Sequence, residues 1–301
     1  MSKIFTAYGL LISSEIELPE LTVADGLSKR KIDLNIRYGS AEPESGTELT
    51  QRGPFLWVKG QNFWLQVPGV AKFYVRDGRD IEICPDSGTA SNDVRLFLLG
   101  SVFGAVLMMR DYLVLHGNAV KIGDYCMICM GHSGAGKSTL ATGLLRRGYE
   151  VLADDVVPID NSGMVIPGFP RIKLWQDAAT EFGIETANYN RVRDGIEKFN
   201  IPFDAPTVRP PVAARWLYSM NVQENGPLAL KEIKGMEKFG VLRNNSYRLS
   251  FLVETDDKKA HLKKCGQLAS RAHLANISRP GSGFSVDAII DMLLEHISRN
   301  P

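Results

Sequence analysis

The stretch that decides the fold is YCMICMGHSGAGKSTLATGLLRRGYEVLADDVVPID, residues 125–160. Its first apolar run predicts a buried strand, which a glycine-rich loop follows. The apolar spacing after Lys137 then predicts a helix that ends at Gly148. A second apolar run leads into Asp154 and Asp155. Strand, helix and strand in this order predict a βαβ unit with a right-handed crossover, and therefore an α/β core.

The loop inside this stretch, Gly131 to Ser138, has the sequence GHSGAGKS and fits the pattern G-x-x-x-x-G-K-[ST] in full. Glycines let backbone N–H groups turn inward around a phosphate, and the N-terminus of the following helix adds positive potential. Lys137 is predicted to reach the β- and γ-phosphates of ATP, and the Ser138 hydroxyl to bind Mg²⁺. The predicted nucleotide-binding residues share this loop and the first helical turn: Gly131, His132, Ser133, Gly134, Ala135, Gly136, Lys137, Ser138 and Thr139.

The two aspartates follow Lys137 after only one helix and one strand. The crossover predicts that their strand lies beside the phosphate-loop strand, with both carboxyl ends at the sheet edge where ligands of open α/β sheets bind. Adjacent strand residues point to opposite sides, so Asp154 and Asp155 are expected to have different roles. One would accept a proton from an attacking hydroxyl and the other would bind Mg²⁺. The alternative without function is a solvated strand end with an Asp turn.

The remaining chain divides into a β-rich first part and a mixed second part. Residues 1–92 hold short strand-like runs separated by Gly, Pro, Asn and Asp, which predict a small, mostly antiparallel N-terminal domain. Residues 93–301 are predicted to form the catalytic domain. It would open with a buried core helix in RLFLLGSVFGAVLMMR (95–110), whose apolar part is too short to span a bilayer. A weaker strand, SYRLSFLVE (246–254), and a helix, SVDAIIDMLLEHISR (285–299), would close the domain.

Composition limits the function classes. The 301 residues are 44% hydrophobic and 23% charged, with a formal net charge of +1. A near-neutral charge argues against binding to nucleic acid or to a membrane surface. No secretory signal is evident at the N-terminus, and four cysteines are few for this length, so a reducing, cytoplasmic setting is predicted. Cys126 and Cys129 form a C-x-x-C without a second ligand pair, and are interpreted as small buried hydrophobes on opposite faces of a strand.

Three motifs together resemble the bacterial HPr kinase/phosphorylase family. They are His116-Gly117, the loop at 131–138, and RRGYEVLADD (146–155). The resemblance is closer to divergent HPr-kinase-like proteins that have a different N-terminal domain, and it extends through IPGFPRIKLWQDAATEFG (166–183). It implies an α/β P-loop kinase core related to phosphoenolpyruvate carboxykinase, here with a small β-rich N-terminal domain. Such a core transfers the γ-phosphate of ATP to a serine hydroxyl of a small protein.

Carried over residue by residue, the resemblance implies a role for each candidate side chain. Asp154 resembles the catalytic base, and His116 the histidine that neighbours and tunes it. Lys137 completes the catalytic set. Asp155 is the adjacent acid, oriented with Ser138 toward the metal. A lone histidine beside apolar residues would otherwise be interpreted as a core or turn residue.

Departures from the family pattern bear on the acceptor. His132 stands where the family usually has Asp, Thr139 stands where it has Glu, and no EIRG stretch is evident. These departures argue against HPr as acceptor and against the reverse, dephosphorylating reaction. Some divergent relatives accompany gene clusters for modified peptides, including lasso peptides, and phosphorylate a precursor serine. The predicted partner is therefore a peptide or small protein, and a homo-oligomer is a further implication because the parent family is hexameric.

The residues leave two other functions open. One is a nucleotide-binding regulatory module with slow or no hydrolysis, since phosphate loops serve switches as well as kinases. The other is a kinase for a small-molecule hydroxyl. Further candidate cations are Arg171 and Lys173, which share one face of the strand predicted in RIKLW, and Lys198; a solvated strand face is the alternative for them.

Overall fold

The short apolar runs near the N-terminus form a nine-stranded sheet. The computed structural model describes residues 2–24, 30–193, 195–224, 226–252, 255–281 and 285–301, apart from the side chains of 255 and 256. The strands are β1 (Lys3–Ala7), β2 (Leu10–Ser14), β3 (Thr22–Val23), β4 (Leu34–Tyr38), β5 (Thr50–Gly53), β6 (Leu56–Lys59), β7 (Asn62–Val67), β8 (Ala71–Arg76) and β9 (Asp80–Pro85). Their order is β3-β1-β2-β4-β9-β8-β7-β6-β5, antiparallel except for β2–β4 and β4–β9. The N-terminal part is thus β-rich as predicted, and the domain boundary at residue 92 stays a prediction.

The apolar segment after this sheet is helical from Ser91 to Met109. It comprises α1 (Ser91–Phe97), a π-helical turn (Leu98–Val102) and α2 (Phe103–Met109). By length and composition it could cross a membrane, but 67% of its most apolar 18-residue window is buried inside the protein. It shares one hydrophobic core with the N-terminal sheet and with Tyr247 and Phe251. The segment is therefore packed as a core helix, as expected. The reason for that expectation is wrong, because the helix has 19 residues and is long enough to span a bilayer.

The second part of the chain builds a mixed sheet flanked by helices. Its elements are β10 (Leu113–Ile122), β11 (Tyr125–Gly131), α3 (Lys137–Arg146), β12 (Glu150–Ile159), β13 (Met164–Val165), β14 (Arg171–Trp175), α4 (Gln176–Glu181), β15 (Lys198–Pro202), β16 (Val212–Gln223), β17 (Ala229–Ile233), α5 (Glu237–Asn244), α6 (Thr255–Arg271), β18 (His273–Pro280) and α7 (Val286–Arg299). The sheet order is β11-β10-β12-β13-β16-β18-β17, and β11 also pairs in parallel with β16. β14 and β15 form a separate antiparallel ribbon.

Two hydrophobic cores cover this sheet. One includes residues of α3 and α7 together with Cys129. The other includes residues of α5 and α6 together with Cys126. The two cysteines are fully buried in different cores, which confirms that they point to opposite faces of β11. The prediction of a strand in SYRLSFLVE (246–254) is wrong. Leu249–Phe251 is a 3-10 turn, and residues 253 and 254 lie outside the described residues.

Two predictions about the aspartate strand are also wrong. β12 does not lie beside β11, because β10 lies between them and runs antiparallel to both. Nor does β12 end at the aspartates; it continues to Ile159. The register still places Asp155 opposite Gly117, and Gly117 opposite Met130. The carboxylates therefore lie level with the end of the phosphate-loop strand, one strand further away than expected.

Candidate active site

The loop between β11 and α3 has the backbone that a phosphate cradle needs. Gly131, Gly134 and Gly136 have φ values of 146°, 82° and 98°, in the region that favours glycine. A Cβ at Gly131 would lie 2.4 Å from the carbonyl oxygen of Met220 in β16. Helix α3 begins at Lys137, so its free N–H groups face the loop. A side chain at Gly131 would clash with Met220, and the positive φ favours glycine at Gly134 and Gly136.

Side chains from other strands hold the loop in place. Nδ2 of Asn118, in β10, donates to the carbonyl oxygen of Lys137 at 2.5 Å. Arg279, at the end of β18, donates from Nε to the carbonyl of Ala135 at 2.8 Å and from Nη2 to the carbonyl of Gly134 at 3.1 Å. Nothing in the local sequence pattern marks Asn118 or Arg279 as part of the site, because both reach the loop through the sheet.

The ammonium of Lys137 lies at the base of the loop. It donates to the carbonyl oxygens of Gly131 at 2.7 Å and His132 at 3.0 Å. Only 9% of the residue is exposed, and this burial lowers the pKa of Lys137. The charge therefore lies within the loop, where it contacts these two carbonyls. That Lys137 reaches the β- and γ-phosphates stays a prediction.

Asp154 and Asp155 contact different partners within one cavity. Oδ1 of Asp154 accepts from the Ser138 hydroxyl at 3.2 Å, and Oδ2 accepts from the backbone N–H of Lys173 at 2.8 Å. Oδ2 of Asp155 pairs with Nζ of Lys173 at 2.5 Å, and Oδ1 lies 3.2 Å from Nδ1 of His116. Asp155 has a φ of 74°, which interrupts the strand alternation. The prediction that the carboxylates face opposite sides is therefore wrong.

The two carboxyl groups have opposite electrostatic surroundings. Burial by itself would raise the pKa of Asp155, but Lys173 and His116 hold that pKa well below its usual range. Burial and the charge of Asp155 raise the pKa of Asp154. Asp155 is therefore held in its ionised form, whereas burial and the neighbouring charge disfavour the ionised form of Asp154.

These contacts differ from the roles that the resemblance implies. It pairs His116 with Asp154, but in the structure His116 contacts Asp155. It places Asp155 with Ser138 at the metal, but the Ser138 hydroxyl contacts Asp154. The left-handed turn of the backbone at Asp155 brings its carboxylate to His116 and Lys173.

A cavity of about 590 Å³ joins the loop and the aspartates. This volume lies within the usual range for small-molecule sites. The predicted site residues that line it are His116, Ser133, Gly134, Gly136, Lys137, Ser138, Thr139, Asp154 and Asp155. Gly131, His132 and Ala135 lie behind this lining, where their carbonyls accept from Lys137 and Arg279. Lys173, Trp175 and Lys198 of the β14–β15 ribbon complete one wall.

The donor set fits a magnesium ion brought in with a nucleotide. Across the described ranges, no group of three or more His, Cys, Asp or Glu side chains could hold a metal ion by itself. Mg²⁺, however, usually takes one or two protein ligands and completes its shell with phosphate oxygens and water. The Ser138 hydroxyl and the Asp154 carboxylate are such a pair, and both face the cavity.

Comparison with known proteins agrees with the motifs. Residues 108–169 match the family model described as HPr Serine kinase C-terminal domain, and this segment contains His116, the phosphate loop and both aspartates. A search of curated proteins finds no match. Among solved structures, the HPr(Ser) kinase/phosphatase from Coxiella burnetii is similar at 13% identity, over 62% of this chain and 90% of that chain, with a TM-score of 0.25. The similarity to the HPr kinase-like family and the α/β P-loop core that the motifs predict are confirmed.

Proposed function

We propose that this chain is an ATP-dependent kinase that transfers the γ-phosphate to a serine hydroxyl of a peptide or small protein in the cytoplasm. The family match supports serine-kinase activity in general. One observation carries the proposal: an aspartate held ionised by Lys173 and His116 shares a cavity with a phosphate loop. A ribosomal precursor peptide, such as that of a lasso peptide, is the acceptor to test first.

The loop and the first turn of α3 bind the nucleotide phosphates in this proposal. Backbone N–H groups of the loop surround the β-phosphate, and Lys137 reaches the β- and γ-phosphates. Ser138 and Asp154 would hold Mg²⁺, which when bound neutralises charge on the phosphate oxygens. A cation beside Asp154 would favour the ionised carboxylate and so oppose the burial and the Asp155 charge that raise its pKa.

Asp155 is the general base in this proposal, in place of Asp154. Lys173 and His116 hold the pKa of Asp155 low, so the carboxylate is ionised but weakly basic. A weak base is sufficient here, because phosphoryl transfer passes through a loose transition state in which the attacking hydroxyl loses its proton late. The serine oxygen attacks the γ-phosphorus in line, and its proton passes to the Asp155 carboxylate. The new bond between the serine oxygen and the γ-phosphorus forms as the bond between the γ-phosphorus and the β–γ bridging oxygen breaks. ADP leaves with the electron pair of the broken bond. His116, with 35% of its side chain exposed, orients the carboxylate from Nδ1.

Paired asparagine variants test this division of roles. With γ-labelled ATP and candidate peptides, Asp155→Asn should lower transfer by about 10²- to 10⁴-fold. Its affinity for ATP and its Mg²⁺ requirement should stay unchanged. Asp154→Asn should instead raise the Mg²⁺ concentration needed for half-maximal transfer. Asp124→Asn, at an exposed position in the β10–β11 turn, is the matched control.

The outcomes separate the alternatives. Asp154 would be the general base if Asp155→Asn still transfers phosphate with an unchanged Mg²⁺ requirement while Asp154→Asn transfers none. Nucleotide binding without any labelled acceptor in a cell extract would indicate a regulatory module. A labelled small molecule without labelled peptide would indicate a small-molecule kinase. Phosphoserine found by mass spectrometry in a precursor peptide would establish the proposed activity.

A further inference from the structure

The β14–β15 ribbon has a row of cationic side chains, two of which line one wall of the cavity. Arg171, Lys173 and Trp175 alternate on β14 and so share a face, and the register places Lys198 of β15 directly opposite Trp175. Lys173, Trp175 and Lys198 all line the cavity. The ribbon therefore adds positive charge at the side of the site that faces the loop.

Two members of this row already have strong partners. Arg171 donates from Nη1 to Oδ1 of Asn200 at 2.7 Å, and its guanidinium lies 4.7 Å from the centroid of the Phe169 ring. Lys173 is paired with Asp155. Moving either cation to a phosphate would break a buried polar contact, which is costly.

Lys198 has a different environment. Its ammonium lies 5.5 Å from the centroid of the Trp175 ring, and Trp175 is 42% exposed. The ion pairs of the ribbon and its connecting loop are Lys173–Asp155 and Arg191–Glu197. Within the part of the chain that the structure describes, no carboxylate lies at ion-pair distance from Lys198. A cation–π contact at an exposed site is worth only about 0.5–1 kcal/mol, so this ammonium can exchange it for a phosphate oxygen.

The charge of Lys198 acts on the phosphate side of the cavity. Its side chain lines the same cavity as Lys137 of the loop and Asp154. Lys198 is therefore close enough to the loop lysine and to the proposed metal ligand to act on the same bound group.

We propose that Lys198 stabilises the phosphoryl group during transfer, in the role that an arginine finger has in other phosphotransferases. The ammonium rests over Trp175 and donates hydrogen bonds to oxygens of the γ-phosphoryl group when nucleotide and acceptor fill the cavity. The serine proton passes to Asp155 and ADP leaves with the bridging oxygen, while Lys198 keeps its proton throughout. This role rests on the proposed kinase function and adds a catalytic cation to it.

Lys198→Met, Lys198→Arg and a control, Lys231→Met, test the proposal. Lys231 is an exposed strand lysine on β17, outside the cavity. Lys198→Met should lower kcat by at least about 100-fold, the effect of removing one transition-state donor. Lys198→Arg should recover most of that loss. The affinity for ADP with Mg²⁺ should stay near that of the wild type in all three variants.

A binding measurement tests Lys198 independently of catalysis. Aluminium fluoride added to ADP and Mg²⁺ mimics the phosphoryl group in transfer, so it should tighten ADP binding in calorimetry. We expect this tightening in the wild type and in Lys231→Met, and its loss in Lys198→Met. Equal tightening in Lys198→Met, or no tightening in the wild type, would overturn the role of Lys198. If the wild type phosphorylates no acceptor, the kinase proposal fails, and the fluoride measurement still decides the role of Lys198.

Discussion

Replacing Lys173 by methionine should destabilise the protein by leaving the Asp155 charge without its main partner. The Lys173 side chain is 8% exposed and that of Asp155 is 25% exposed. Removing one partner of a fully buried pair costs about 3–5 kcal/mol. Since a quarter of the Asp155 side chain can contact water, we expect a loss of about 2–3 kcal/mol in the free energy of unfolding at pH 7.

The loss should depend on pH in a defined direction. In the wild type the pKa of folded Asp155 is below its unfolded value, about 3.9. Its contribution to stability is therefore complete above about pH 4 and is lost as pH falls through the folded pKa. In Lys173→Met, burial is expected to raise the pKa of Asp155, so the uncompensated charge destabilises the variant near neutral pH. Protonation relieves this cost, so the difference between variant and wild type should narrow on acidification.

Urea unfolding followed by circular dichroism measures this difference at pH 7 and at about pH 4.5. The double variant Lys173→Met/Asp155→Asn removes both charges and should recover most of the lost stability at pH 7. Lys231→Met serves as the control for losing a lysine. The charge-pair argument is incorrect if Lys173→Met loses the same free energy of unfolding at both pH values. It is also incorrect if the double variant is no more stable than Lys173→Met. Either result would show that Lys173 acts by packing.

Two further predictions concern the phosphate loop and the core helix. Arg279→Ala removes the donors to the carbonyls of Gly134 and Ala135. Each charge-assisted bond is worth about 1.5 kcal/mol, so the variant should bind ATP at least tenfold more weakly in calorimetry. Unchanged affinity would mean that the loop keeps its shape without Arg279. Gly104→Ala would place a Cβ 2.6 Å from the Tyr247 ring and should cost about 1–3 kcal/mol, seen as a lower Tm; an unchanged Tm would show that the ring can move aside.

Local sequence determines the parts of this protein that depend on local geometry. The backbone of the phosphate loop needs positive φ at its glycines, and its charge comes from residues at the start of the next helix, so one short motif specifies both. These features were predictable because neighbouring residues alone produce them.

The tertiary structure decided which side chains meet. Strand order depends on long-range hydrogen-bonded pairing, so no local pattern showed that β10 separates the loop strand from the aspartate strand. The pairing of Asp155 with His116 and Lys173 depends on one left-handed residue and on a ribbon that packs from further along the chain. Both aspartates were identifiable from sequence as functional candidates. Their separate roles follow from the charges that the fold brings to each, because a carboxylate acts as base or as ligand according to its neighbours.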